Sequence, residues 1–180
     1  MMKQLTVREL TPGDIAALVN YWMSATPEFL NGMGVDTSKL PPSNVFSDRL
    51  NSQLQLPVEE RTSYCLIWEL DDKPVGHCNT NPTFFGKEAM MHLHLWDAAC
   101  RRSGLGLTFV NLSLPYFFKT LKLKKIISEP YALNPSPNKT LQKAGFELVK
   151  EYTTTPGTIN FEQPVKRWEL TVERYKMLRS

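Results

Sequence analysis

Cysteine is scarce in this chain, and long apolar runs are missing. The three cysteines, Cys65, Cys78 and Cys100, are odd in number, far apart and without a C-x-x-C pair. That spacing argues against a disulfide framework and fits reduced thiols in a cytoplasmic protein. No stretch approaches the roughly 18 consecutive apolar residues that span a bilayer, so no membrane role is expected. The opening MMKQLTVREL also lacks the apolar core of a secretory signal. An excess of either charge is missing as well. The 21 Lys and Arg against 18 Asp and Glu leave a net +3, too little to argue for nucleic acid, whose backbone binders gather many cations on one face. The densest basic cluster, Lys119, Lys122, Lys124 and Lys125, reads as a solvated helix end followed by the start of a strand. What remains is a chain of 180 residues with ordinary composition, enough for one domain with a substantial core and too short for two full ones. A single domain over residues 1–180 is expected.

The pattern alternates strands and helices. KQLTVREL has the two-residue period of a half-buried strand. In TPGDIAALVNYWM, Thr11 is placed as N-cap, Pro12 at the first helical position and Asp14 to reach back, which starts a helix. SATPEFLNGMGVDTSKLPP is broken by Pro27, Gly32, Gly34, Pro41 and Pro42 and reads as a loop with at most a helical turn. NVFSDRLNSQLQL sets Val45, Phe46, Leu50 and Leu54 on one helix face. SYCLIWELDDKPVGHCNTN reads as two strands around a tight turn at Asp71, Asp72 and Lys73, and AMMHLHLW as a third. A helix with a kink at Pro115, the strand KKIISEPY, a short helix closed by Gly145 and two final strands complete the chain. The expected fold class is α/β: a mixed central sheet of about seven strands flanked by about four helices.

RRSGLG joins the histidine-bearing strand to the following helix. A helix start offers unpaired N–H groups and partial positive charge, and glycine lets the chain approach a phosphate closely. The segment is neither a Walker loop, lacking the Lys-Ser/Thr ending, nor G-x-G-x-x-G, since the third residue after Gly106 is Phe109. On these residues alone a plain strand-to-helix turn with solvent-facing arginines is the better reading.

Arg101-x-x-Gly104-x-Gly106 after a strand resembles the Q/R-x-x-G-x-G/A pyrophosphate motif of the GNAT superfamily of acyl-CoA-dependent N-acyltransferases. VRELTPGDIAAL is similar to that family's opening strand and helix. ALNPSPNKTLQKAGFELV is similar to its late Asn, helix and Gly-Phe segment in the RimJ/RimL-like branch. The resemblance covers nearly the whole chain. It implies acetyl-CoA as acyl-donor cosubstrate, with the pyrophosphate on the turn formed by Arg101, Arg102, Ser103, Gly104, Leu105, Gly106 and Leu107. It also implies that the pantetheine runs near Leu95 and Trp96, and that Asn134 contacts the pantetheine or orients the thioester. Two positions depart from the family pattern. Pro137 stands where Ser is usual, and Leu141 where many relatives place a Tyr general acid.

His92 and His94 are two apart on a strand and therefore share a face with Met90 and Trp96, while Leu93 and Leu95 take the other. Amine acylation needs a base, because an ammonium cannot attack a thioester, and imidazole titrates closest to neutral pH. The HLH also resembles the paired histidines of serotonin N-acetyltransferases, set two residues nearer the turn. Plain packing is the alternative role for either histidine. A shared zinc would need a third ligand that the spacing does not supply, so no metal is expected. Glu129, to position the amine or tune His92, and Tyr131, to donate a proton, complete the candidate catalytic set. The expected activity is direct transfer from acetyl-CoA to a primary amine, either a small molecule such as a polyamine, aminoglycoside, amino sugar or arylalkylamine, or a protein N-terminus. A catalytically silent acyl-CoA sensor is the alternative, and a homodimer is left open.

Overall fold

In the computed structural model, which describes residues 4–97, 100–101 and 104–179, seven strands form one sheet. They are β1 (Leu5–Glu9), β2 (Tyr64–Leu70), β3 (Lys73–Phe84), β4 (Glu88–Leu95), β5 (Lys125–Ser128), β6 (Glu147–Thr154) and β7 (Gln163–Thr171). Their spatial order is β1-β2-β3-β4-β5-β7-β6. Neighbours are antiparallel except β4 and β5, which run parallel. The β2–β3 turn is tight because Asp71 and Asp72 both take left-handed backbone, φ 51° and 60°, a conformation Asp tolerates better than most residues.

The helices are α1 (Ile15–Ser24), α2 (Pro27–Gly32), α3 (Ser43–Gln55), α4 (Leu105–Lys119), α5 (Pro135–Lys143) and α6 (Val172–Met177). The period of two along β2 sorts its side chains between two cores. Leu66 and Trp68 pack with Phe109, Leu114 and Phe117 of α4 and Leu141 of α5, with Trp68 stacked on Phe109 at 5.0 Å between ring centroids. Ile67 faces the other way, into a core with Leu18 and Trp22 of α1 and Leu30 of α2. The sheet is thus covered by α4 and α5 on one face and by α1–α3 on the other.

Two short helices exceed the four expected from the sequence. Both are built on threonine caps: Thr26 accepts from the Phe29 N–H at the start of α2, and Thr171 from the Arg174 N–H at the start of α6. Helix α4 continues through Pro115. Proline has no N–H to bond the carbonyl four residues earlier. That carbonyl, on Asn111, accepts instead from Arg179 Nη2 at 3.2 Å.

Candidate active site

The parallel strands β4 and β5 pair only at Glu88↔Lys125, Ala89↔Ile126 and Met90↔Ile127. Strand β4 then continues to Leu95 with β3 alone as its partner. At the mouth of the gap Ser128 Oγ donates to the Met91 carbonyl at 2.8 Å. The Trp96 N–H donates to the Val75 carbonyl of β3. By the alternation of an antiparallel ladder, the backbone groups of His92 and His94 also turn to β3, while those of Leu93 and Leu95 turn into the gap. A wedge of sheet is therefore open to an extended ligand carrying amides of its own.

Where the wedge meets α4, Gly104 is the N-cap with φ 80°, and among the described residues no side chain caps the helix. Among the described residues a Cβ at Gly104 would meet nothing within 4 Å, so there is room beside the start of α4. Leu105 and Leu107 anchor the turn to the α4-side core. Gly106 lies against α5 and β4, where a Cβ would stand 3.8 Å from Thr140 Oγ1 and 3.9 Å from Leu95 Cδ1. Arg102 and Ser103, expected in this turn, lie outside the described residues. Arg101 turns away from the helix start. Its Nε and Nη2 donate to the Leu95 and Trp96 carbonyls at 3.1 and 3.2 Å, and its guanidinium lies 3.9 Å over the Phe29 ring. The arginine thus clasps α2 to the end of β4.

His92, His94 and Trp96 face the α1–α2 side, and a third histidine joins them. His77 is directly opposite His94 in the β3–β4 register, 2% exposed and stacked on it with centroids 4.5 Å apart. Trp96 Nε1 donates to His77 Nδ1 at 2.7 Å, and the Tyr21 hydroxyl lies 3.3 Å from His94 Nδ1. Burial lowers the pKa of His77 to about 3 and that of His94 well below the ordinary value, helped by the neighbouring histidines. Both are therefore neutral near pH 7. His92 is half-buried and its Nε2 lies 2.9 Å from the Asn81 carbonyl. A carbonyl only accepts, so Nε2 carries the proton of the neutral ring and Nδ1 keeps the lone pair. Burial lowers its pKa as well, opposed by the Asn81 carbonyl and the Glu129 charge. Sequence reasoning missed His77 and Tyr21, because only cross-strand register and helix docking bring them to the pair.

Glu129 comes to the same face but is already engaged: its Oε1 accepts from Tyr152 OH at 2.5 Å and Arg167 Nη1 at 2.9 Å. Tyr131 is half-buried, edge-on to Phe161 at 5.9 Å between centroids. Asn134 caps α5, accepting from the Ser136 N–H. Leu141 is fully buried, so the site of the family's usual tyrosine is core. Cysteine chemistry is disfavoured, since burial raises the Cys65 and Cys78 thiol pKa values. Among the described residues no group of three His, Cys, Asp or Glu side chains could hold a metal.

Two loop segments close the α1–α2 side. The Gly34 carbonyl accepts from Asn160 Nδ2 and Gln163 Nε2, both at 2.8 Å, the Asp36 N–H donates to the Ile159 carbonyl, and Val35 bridges Asn160. The segment after α2 and the β6–β7 loop are thereby knitted together.

Comparison with known proteins agrees with this geometry. The acetyltransferase (GNAT) domain matches residues 4–147. No curated protein matches the sequence. Among solved structures, the chain is similar to spermidine N-acetyltransferase from Vibrio cholerae in complex with CoA and spermine, with a TM-score of 0.78 and 19% identity over 96% of this chain and 98% of that one. It is also similar to aminoglycoside acetyltransferase AAC(6')-Ib in complex with coenzyme A and kanamycin, with a TM-score of 0.74 and 18% identity over 98% and 100%. At such identity these structures establish the shared fold.

Proposed function

The chain belongs to the acetyltransferase (GNAT) domain family, and from that premise we propose that it moves the acetyl group of acetyl-CoA directly onto a primary amine. The wedge between β4 and β5 fits the donor. The backbone groups of Leu93 and the Leu95 N–H would pair with the pantetheine amides beside Leu95 and Trp96, the Leu95 carbonyl being held by Arg101. The amides from Gly104 to Gly106, with Arg102 and Ser103, would hold the pyrophosphate, while the Leu107 N–H turns back to the Gly104 carbonyl at 3.3 Å. Asn134 orients the thioester end from the start of α5. Arg101 contributes by fixing the end of β4 rather than by pairing with phosphate. The late Asn, helix and Gly-Phe segment supports the RimJ/RimL-like branch.

His92 is the base. Held by the Asn81 carbonyl, its Nδ1 takes the proton that the amine gives up as the N–C bond forms and the C–S bond breaks. The thiolate released needs a proton in return. With Leu141 sealed in the core, Tyr131 is the assigned donor. His94 and His77 stay neutral and fix the face on which His92 works, and Glu129 tunes His92 by its charge. Fixed placement of donor and base supplies most of the acceleration, without a covalent enzyme intermediate. The observation that carries this reading is a neutral histidine with its lone pair on Nδ1, beside a sheet opening that ends at a glycine-led helix start. The alternative is a silent acyl-CoA sensor, for which the lost tyrosine position speaks. Thiol release from acetyl-CoA with a mixed amine panel separates the two: turnover supports the transferase, and binding without turnover supports the sensor.

A further inference from the structure

The ladder between β3 and β4 is interrupted beside His92. Thr80 stands opposite Met91 and Thr83 opposite Ala89, so Asn81 and Pro82 share the position opposite Met90, a bulge of two residues against one. Proline has no N–H to give a neighbouring strand. At this bulge the Asn81 carbonyl turns to the His92 ring, 2.9 Å from Nε2.

The bulge is held from the other face of the sheet. Thr80 pairs with Tyr64 of β2, whose ring packs against Phe117 in the α4-side core. Thr80 and Thr83 are both buried. Thr83 Oγ1 lies 2.8 Å from Thr80 Oγ1 and 3.1 Å from the Thr80 carbonyl, and the Thr83 N–H donates to the Thr62 carbonyl at 2.8 Å. The two side chains thus tie the ends of the bulge together. We propose that Thr83 is a positioning residue for the base: by closing the bulge on the α4 side it aims the Asn81 carbonyl at His92 on the opposite side, and so fixes which imidazole nitrogen carries the proton. The proposal rests on the transferase reading above and adds the residue that orients its base.

The chemistry calls for such a device. A neutral imidazole has two tautomers, and the hydrogen bond made by one nitrogen decides the state of the other. Proton removal from the amine needs the lone pair on Nδ1. Without an acceptor at Nε2 the proton would divide between the two nitrogens, and the base would spend part of its time presenting an N–H to the amine. A backbone carbonyl suits the task because it cannot donate, as a hydroxyl could, and does not titrate, as a carboxylate would. Being backbone, it is aimed by the shape of the bulge, which the threonine pair holds.

The test uses the full chain labelled with nitrogen-15. The His92 ring is followed by long-range proton–nitrogen correlation NMR at a pH where it is neutral, and kcat and KM are measured with a mixed amine panel. Thr83→Val keeps the side-chain shape and removes both hydroxyl contacts. It should replace the single Nε2–H tautomer by a mixture and lower kcat about 10–100-fold, with little change in the KM for acetyl-CoA. Thr80→Val, which keeps the contact of Thr83 Oγ1 with the Thr80 carbonyl, should fall between, and it carries the test if Thr83→Val does not fold. Thr83→Ser, which keeps the hydroxyl, should restore both the tautomer and kcat. An unchanged tautomer in Thr83→Val, or in Thr80→Val where that variant carries the test, would overturn the proposal. So would a Thr83→Ser protein as mixed as Thr83→Val. A mixed tautomer with unchanged kcat would uphold the positioning and remove His92 as the base. If the unmodified protein turned over no amine, the transferase reading would fall, and the tautomer alone would decide the proposal.

Discussion

His77 and His94 stack ring on ring across β3 and β4, 4.5 Å between centroids, and both are neutral in the folded protein. Unfolded, each would titrate near the ordinary value of about 6.5. Folded, His77 does so at about 3 and His94 well below its ordinary value. Between those values the unfolded state binds more protons, so stability rises with pH. Stability that is complete above about pH 6.5 is therefore lost as pH falls, over a window reaching down to about 3 for His77. His77→Gln, which keeps an acceptor for Trp96, should reduce this acid sensitivity by at most about 1.4 kcal/mol per pH unit. Urea unfolding at neutral and mildly acidic pH measures it. Equal slopes for the two proteins would contradict the buried neutral pair.

Gly76 lies under the same pair. A Cβ there would stand 2.5 Å from the His94 carbonyl oxygen and 3.1 Å from the Trp68 ring. Because the nearest obstacle is backbone, Gly76→Ala should push β3 from β4 and destabilise the fold by about 1–3 kcal/mol, measured by the same unfolding experiment.

Gly104 separates charge from conformation at the helix start. Its φ of 80° makes Gly104→Ala costly by about 1–2 kcal/mol, while the open space around it leaves room for a side chain. Gly104→Asp adds a negative charge where the pyrophosphate is assigned. In calorimetric titration, Asp should weaken acetyl-CoA binding at least about tenfold beyond Ala. Equal affinities would move the pyrophosphate elsewhere.

Gln163 is buried, and its Nε2 reaches the Gly34 and Phe161 carbonyls at 2.8 and 3.2 Å. Gln163→Ala should free the junction of the two loops, lower stability by about 1–3 kcal/mol and raise the amine KM, with acetyl-CoA affinity unchanged. These loops close the side of the sheet that His92 faces, and an unchanged amine KM would show that they do not help to hold the amine there.

Local periodicity was enough to read the strand that carries His92, His94 and Trp96, because side chains two apart must share a face. The Gly104 turn was legible for a similar reason, as strand, glycine and helix follow directly in the chain. Helix α2 was hidden by its prolines and glycines, although Thr26-Pro27 is a start signal in hindsight. His77 is a lone histidine whose partner is set by register, and nothing near residue 77 announces it. The engagement of Glu129 by Arg167 and Tyr152 draws on three strands, and the turn of Arg101 back onto Phe29 depends on how α2 docks. Those contacts follow from tertiary packing and leave no trace in sequence spacing.

The role of His92 is tested most directly by the pH dependence of the rate at saturating amine. His92→Ala, once shown to fold and to bind acetyl-CoA as the unmodified protein does, should lose about 10²–10⁴ in rate near pH 7. The deficit should shrink steadily as rising pH deprotonates the amine without help. A variant as fast as the unmodified protein over the whole range, or one whose deficit does not change with pH, would show that His92 is not the base.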